Sequence, residues 1–173
     1  MKTLKEIYEN HSEMPYIHPK YEKELMRKPI AKRNMIRTDE GLLPGHLIML
    51  WRINFGTYST ASPHHKYFYT TYGIHAEQEL QWLINNHYVQ VDSPFTSMKE
   101  LAAPQLKEFL KEKGVQGLSK MKRSDLEGAI LEHYSEEEFG SLFEVRSYSL
   151  LEKGITALKK YPEVIDKHPQ KKY

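Results

Sequence analysis

The stretch Ala103–Tyr134, APQLKEFLKEKGVQGLSKMKRSDLEGAILEHY, decides how the rest of the chain is read. Leu106, Phe109 and Leu110 recur at helical spacing, and Leu126, Ile130 and Leu131 do so again. Two short amphipathic helices joined by a basic link are therefore predicted. Pro104 suits a first helical turn, where its missing N–H would be unpaired in any case. Gly114 suits the position just past a helix end. Ser124 and Glu127 have the spacing of a capping box for the second helix. Lys120, Lys122 and Arg123 stand at the entrance to that helix. Three cations beside free N-terminal N–H groups form a natural place for a phosphate.

The same residues carry a family resemblance. Leu106-Lys107-Glu108-Phe109-Leu110, then Gly114-Val115, then Arg123-Ser124-Asp125-Leu126 with Ile130 resemble a SAP-type module. That is a helix–extended loop–helix fold common in DNA-binding proteins. The resemblance implies phosphate contacts from the first helix, the link and the start of the second helix. Carried over, it points to Lys107, Lys111, Lys120, Lys122 and Arg123, with Ser124 in the same candidate site. One departure is Met121, which stands where the family often has glycine. The plainer alternative is an ordinary helical hairpin with a solvated charged face.

The chain has 173 residues, enough for one ordinary core or two small ones. Its 25 basic and 23 acidic residues leave a net charge of +2. Any basic surface must therefore come from local clustering. The absence of cysteine excludes disulfides, thiolate catalysis and zinc–thiolate sites. No apolar run suggests a membrane span, and the start lacks a signal-peptide core. A soluble cytoplasmic protein is the expectation. The 12 tyrosines, with Trp51 and Trp82, suit either an aromatic core or a partner surface.

Residues 1–41 read as a basic N-terminal arm, with Pro15, Pro19 and Pro29 preventing a long helix. Residues 42–55 read as a buried element, with Leu43, Leu47, Leu50 and Trp51 on one face and Pro44 at its start. The run Tyr67–Gly73 favours extended structure by its aromatic and threonine content. A helix is predicted over Ala76–Asn86, with Leu80, Leu83 and Ile84 inward and Gln78, Gln81 and Asn85 outward. Tyr88–Val91 and Phe143–Leu150 alternate as strands. Leu151–Gly154 opens a last helix with Ile155, Leu158 and Tyr161.

The helix running into His87-Tyr88-Val89 is similar to a winged-helix recognition helix entering its wing, with His87 where glycine is usual. Tyr148–Leu151 followed by Glu152-Lys153-Gly154 resembles the last strand and final helix of such domains. The layout as a whole resembles SAP-domain proteins of Gram-positive bacteria and their prophages. The fold expected is α+β and mainly helical. A split winged-helix-like domain, residues 42–95 and 143–168, would receive the SAP-like helical module of residues 96–142 as an insert. Residues 169–173 would form a basic tail.

Other chemistry lacks support in the sequence. The nine histidines form no H-E-x-x-H or H-x₃-H arrangement. His46 reads as a partly buried polar residue; His64 and His65 read as solvent-exposed. No glycine-rich loop follows a strand, and no acid–base pair or nucleophile setting is recognisable. The expectation is a non-enzymatic DNA-binding protein without cofactor or metal. The alternative is a phage- or mobile-element-related adaptor that binds a protein partner.

Overall fold

A computed structural model describes residues 2–169. Lys171 and Lys172 of the expected basic tail lie outside the described residues. The chain is mostly helical with one small two-stranded sheet, an α+β arrangement. In chain order the helices are α1 (Leu4–Ile7), α2 (Glu22–Arg27), α3 (Pro44–Asn54), α4 (Tyr67–Thr70), α5 (Ala76–Asn85), α6 (Ala103–Glu112), α7 (Arg123–His133), α8 (Glu136–Gly140), α9 (Glu152–Lys160) and α10 (Pro162–Asp166). The strands are β1 (Val89–Val91) and β2 (Tyr148–Leu150).

Two compact units divide the chain. One holds the residues up to Phe55, Pro63–Gln90 and those from Leu150 on; the other holds Gly56–Ser62 and Val91–Ser149. The second unit is thus wider than residues 96–142, and includes the loop after α3.

In the first unit α3 is the central element. Every residue from Pro44 to Leu50 is buried, as is Ile53, while Trp51 is only half-buried. Burial on all sides explains the near-continuous apolar run. Within the residues expected as an N-terminal arm, Tyr8, Leu25, Ile30 and Met35 are buried, and they belong to this unit. The Tyr8 hydroxyl accepts the Ile30 N–H at 3.0 Å, and burial raises the Tyr8 pKa. Tyr67–Thr70 forms a helical turn rather than a strand, with Phe68 buried and Tyr67 stacked on His65. Its aromatic content serves ring packing, which strand propensity cannot distinguish.

The inward face of α9 is made of small residues, Gly154 and Ala157, while Ile155 is exposed. A Cβ on Gly154 would lie 2.5 Å from the Tyr88 carbonyl oxygen. Only glycine lets the helix approach that backbone so closely. His87 takes φ 64° between α5 and β1, the left-handed conformation that the turn requires.

β1 and β2 pair with each other. Asp92 N–H donates to the Ser147 carbonyl at 2.9 Å, and Leu151 N–H to the Tyr88 carbonyl at 3.0 Å, which fixes one antiparallel register. The strands are shorter than the alternation predicts. Phe143–Val145 is drawn away instead, because the Arg146 guanidinium collects the carbonyls of Gly140, Phe143 and Val145 at 2.8–2.9 Å.

Candidate nucleic-acid interface

The second unit is built around α6 and α7, which pack on each other. Leu106 and Leu110 from α6 meet Leu126, Ala129 and Ile130 from α7, joined by Met98, Leu101, Tyr134 and Phe139. The α7 stripe therefore runs through Ala129. Leu131, expected in it, is 53% exposed. Tyr134 closes the hairpin by donating its hydroxyl to the Phe109 carbonyl at 2.7 Å.

Gly114 ends α6 in the left-handed region at φ 74°, with Val115 N–H returning to the Leu110 carbonyl at 3.1 Å. The link then runs through a 3-10 turn, Leu118–Lys120, to Met121. Met121 has extended dihedrals (φ −85°, ψ 135°) and packs its side chain against the core beside Val115 and Leu118. No glycine is needed at that position. The link is anchored by three apolar side chains.

The start of α7 differs in detail from the expected capping box. Lys122 is the N-cap residue, and Asp125 accepts its N–H at 3.1 Å. Ser124 is exposed in the first turn, and Glu127 bonds Arg123 instead. Gln105 caps α6 in the same manner, accepting the Ala102 N–H at 2.8 Å.

The basic residues separate into two kinds. Lys111, Lys120 and Lys122 are exposed and Lys107 is half-buried. Among the described residues none of these four makes an ion pair. Lys107 and Lys111 stand one helical turn apart on α6. Arg123 is different, being half-buried and bonded to the main chain. Its guanidinium donates to the Leu101 carbonyl at 2.7 Å and the Met98 carbonyl at 2.9 Å, while Nε reaches Glu127 at 3.2 Å. It holds α7 to the turn that precedes α6. Lys113, which sequence reasoning passed over, lies over the Tyr134 ring and pairs with Glu138 at 2.9 Å. That pairing draws the Glu138 pKa below the ordinary carboxylate value and raises that of Lys113. Glu136, Glu137 and Glu138 form the first turn of α8, where acids favour a helix start.

In the first unit, Gln78, Gln81 and Asn85 are exposed on α5, and Gln81 donates to Asn85 at 2.9 Å. Some of the remaining positive charge there is internally engaged. Arg37 makes a two-pronged pair with Glu13 at 2.7 and 2.9 Å. Lys160 and Tyr161 both bond Glu40, which lowers the Glu40 pKa to about 2.

The histidines are more engaged than their sequence setting indicates. His46 is fully buried. Its Nδ1 accepts the Leu43 N–H at 2.8 Å, so Nε2 carries the proton and donates to Glu79 at 2.6 Å. His64 and His65 are half-buried, and burial lowers the His64 pKa. Among the described residues no group of three His, Asp or Glu side chains could hold a metal ion. No helix among them is long and apolar enough to cross a membrane.

No protein-family model, curated protein or solved structure gives a significant match to this chain.

Proposed function

We propose that the chain binds DNA without catalysing a reaction, using the α6–link–α7 segment as a SAP-like module that grips phosphates. The carrying observation is the set of four lysines, 107, 111, 120 and 122, that no carboxylate neutralises among the described residues. Two of them, Lys120 and the N-cap residue Lys122, immediately precede the first turn of α7, whose N–H groups favour anions. On this reading α5, β1, β2 and α9 form a winged-helix-like scaffold. The mutual hydrogen bond of Gln81 and Asn85 suits a scaffold face more than a base-reading one. A protein-binding adaptor is the second reading. It is favoured by the half-buried rings of Tyr16, His18, Tyr21, Tyr69 and His75, which cluster at centroid distances of 4.7–6.4 Å.

Fluorescence anisotropy with a labelled duplex at low and moderate salt tests the proposal. About three to four phosphate contacts give a log–log salt slope near −3. The double variant Lys120→Glu, Lys122→Glu should weaken binding about tenfold or more on every duplex, because phosphate contacts carry little sequence information. Arg123 is left intact, since its loss would disturb the fold. Equal affinities for native and variant chains, or no binding by either at low salt, move the adaptor reading to first place.

A further inference from the structure

The first unit contains an open groove of about 850 Å³ that the DNA-binding proposal does not use. Its walls are donors and rings: Trp51, Arg52, Lys28, Lys66, Tyr67 and His168. Glu24, the acid among the lining residues, already pairs with Lys66 at 3.4 Å. Two polar atoms of this lining are buried without a hydrogen-bond partner, Arg52 Nε and Tyr67 Oη. Buried polar atoms almost always find partners, so an orphaned pair in one groove points to something that satisfies them.

His168 adds a third donor. It is 7% exposed and packs its ring against Tyr67 and Trp51 at centroid distances of 4.7 and 5.2 Å. Its Nδ1 lies 2.5 Å from the Tyr72 hydroxyl. Burial raises the Tyr72 pKa and lowers that of His168, so the phenol keeps its proton and donates to a neutral imidazole. The remaining proton sits on Nε2, which has no partner among the described residues. Arg52 lies close enough to lower the pKa of both His168 and Tyr67, although burial still holds Tyr67 up at about 12. The groove therefore collects N–H and O–H donors and net positive charge around aromatic walls.

We infer that this groove is a binding site for a small phosphate monoester carried on an aromatic ring. Arg52, His168 Nε2 and the Tyr67 hydroxyl would hold the phosphate oxygens, and the rings of Trp51 and Tyr67 would flank the ligand's ring. The anion follows from a lining rich in donors whose acid is already paired. The ring follows from size: the volume lies within the range of organic-ligand pockets and far exceeds what a lone phosphate fills. A guanidinium is the side chain best matched to phosphate oxygens.

Calorimetric titration of the full chain with phenyl phosphate, inorganic phosphate and phenol tests the site, with the Trp51 indole N–H followed by NMR. Phenyl phosphate should bind most tightly and shift the Trp51 signal; inorganic phosphate should bind about tenfold more weakly; phenol should not bind. Arg52→Gln should cost about tenfold in phenyl phosphate affinity. Tyr67→Phe should also weaken binding while leaving the melting temperature of the free protein unchanged or raised, because the deleted hydroxyl has no partner to lose. Absence of phenyl phosphate binding at millimolar concentration overturns the inference. So does phenol binding as tightly as phenyl phosphate, or native affinity in Arg52→Gln. Inorganic phosphate binding as tightly as phenyl phosphate would overturn the role given to the rings.

Discussion

Helices α3 and α6 begin alike and end up in opposite environments. Each has a proline in its first turn. Each is capped by its third residue, His46 or Gln105, which accepts the N–H of the residue before the helix. Beyond that, α3 is buried continuously from Pro44 to Leu50, whereas α6 buries Leu106 and Leu110 and keeps Lys111 in solvent. The start signal is local and indifferent to burial. The pattern of apolar residues that follows decides whether a helix becomes a core or a surface. A buried helix is constrained on every face. A surface helix has faces left over for charge, and two of the lysines proposed to meet DNA, Lys107 and Lys111, stand there.

The comparison breaks most directly in α3. Leu47→Ala should cost about 2–5 kcal/mol, because the side chain is fully buried and its loss leaves a cavity. Lys111→Ala on α6 should stay within about 0.5 kcal/mol. Urea unfolding of the two variants checks this, and similar losses would show that the contrast in burial carries no energetic weight. A smaller effect separates the two kinds of basic residue. Arg123→Met should cost about 1–3 kcal/mol by unpairing the Met98 and Leu101 carbonyls, while Lys122→Met should be nearly neutral. Equal thermal stability of these two variants would remove the distinction between structural and free cations.

The smallest expected effect sharpens the comparison of the caps. The His46 hydrogen bond, the largest cause, lowers the Glu79 pKa below its ordinary value of 4.5. Such a group stabilises the fold above the unfolded-state value and loses that contribution as pH falls through the folded-state value. Thermal stability should therefore decline below about pH 4.5, and Glu79→Gln should flatten that part of the profile. Gln105→Glu would bring a titratable group to the α6 cap; the native Gln105 cap contributes no slope of its own. An unchanged acid profile in Glu79→Gln would show that the His46 contact is not coupled to folding.

Local features were the legible ones. The apolar spacing around Leu106 and Leu126, the glycine stop at 114 and the alternation within each of the two strand segments all follow from neighbours close in sequence. The departures involve distant partners. Arg123 looks like a free cation until the carbonyls of Met98 and Leu101, 25 and 22 residues away, are brought to it. His46 gives no sign of Glu79, 33 positions on, and His168 meets Tyr72 across 96. The short turn Tyr67–Thr70 misled because strand propensity and ring packing use the same residue types. The candidate hairpin was therefore readable as a pattern, but which of its cations remain free was not. The groove around Arg52 was invisible, since its lining comes from segments far apart in the chain.

The register of the strand pair has a consequence for inheritance. Asp92 and Ser147, 55 positions apart, are joined directly, through main chain and side chain. A segment whose first and last residues meet in this way has almost no end-to-end distance to span. A gene segment encoding it can lengthen, shorten or be exchanged while the flanking strands keep their pairing. Variation among such chains should therefore collect between Asp92 and Ser147, with Tyr88 and Gly154 held fixed on the other side of the ribbon.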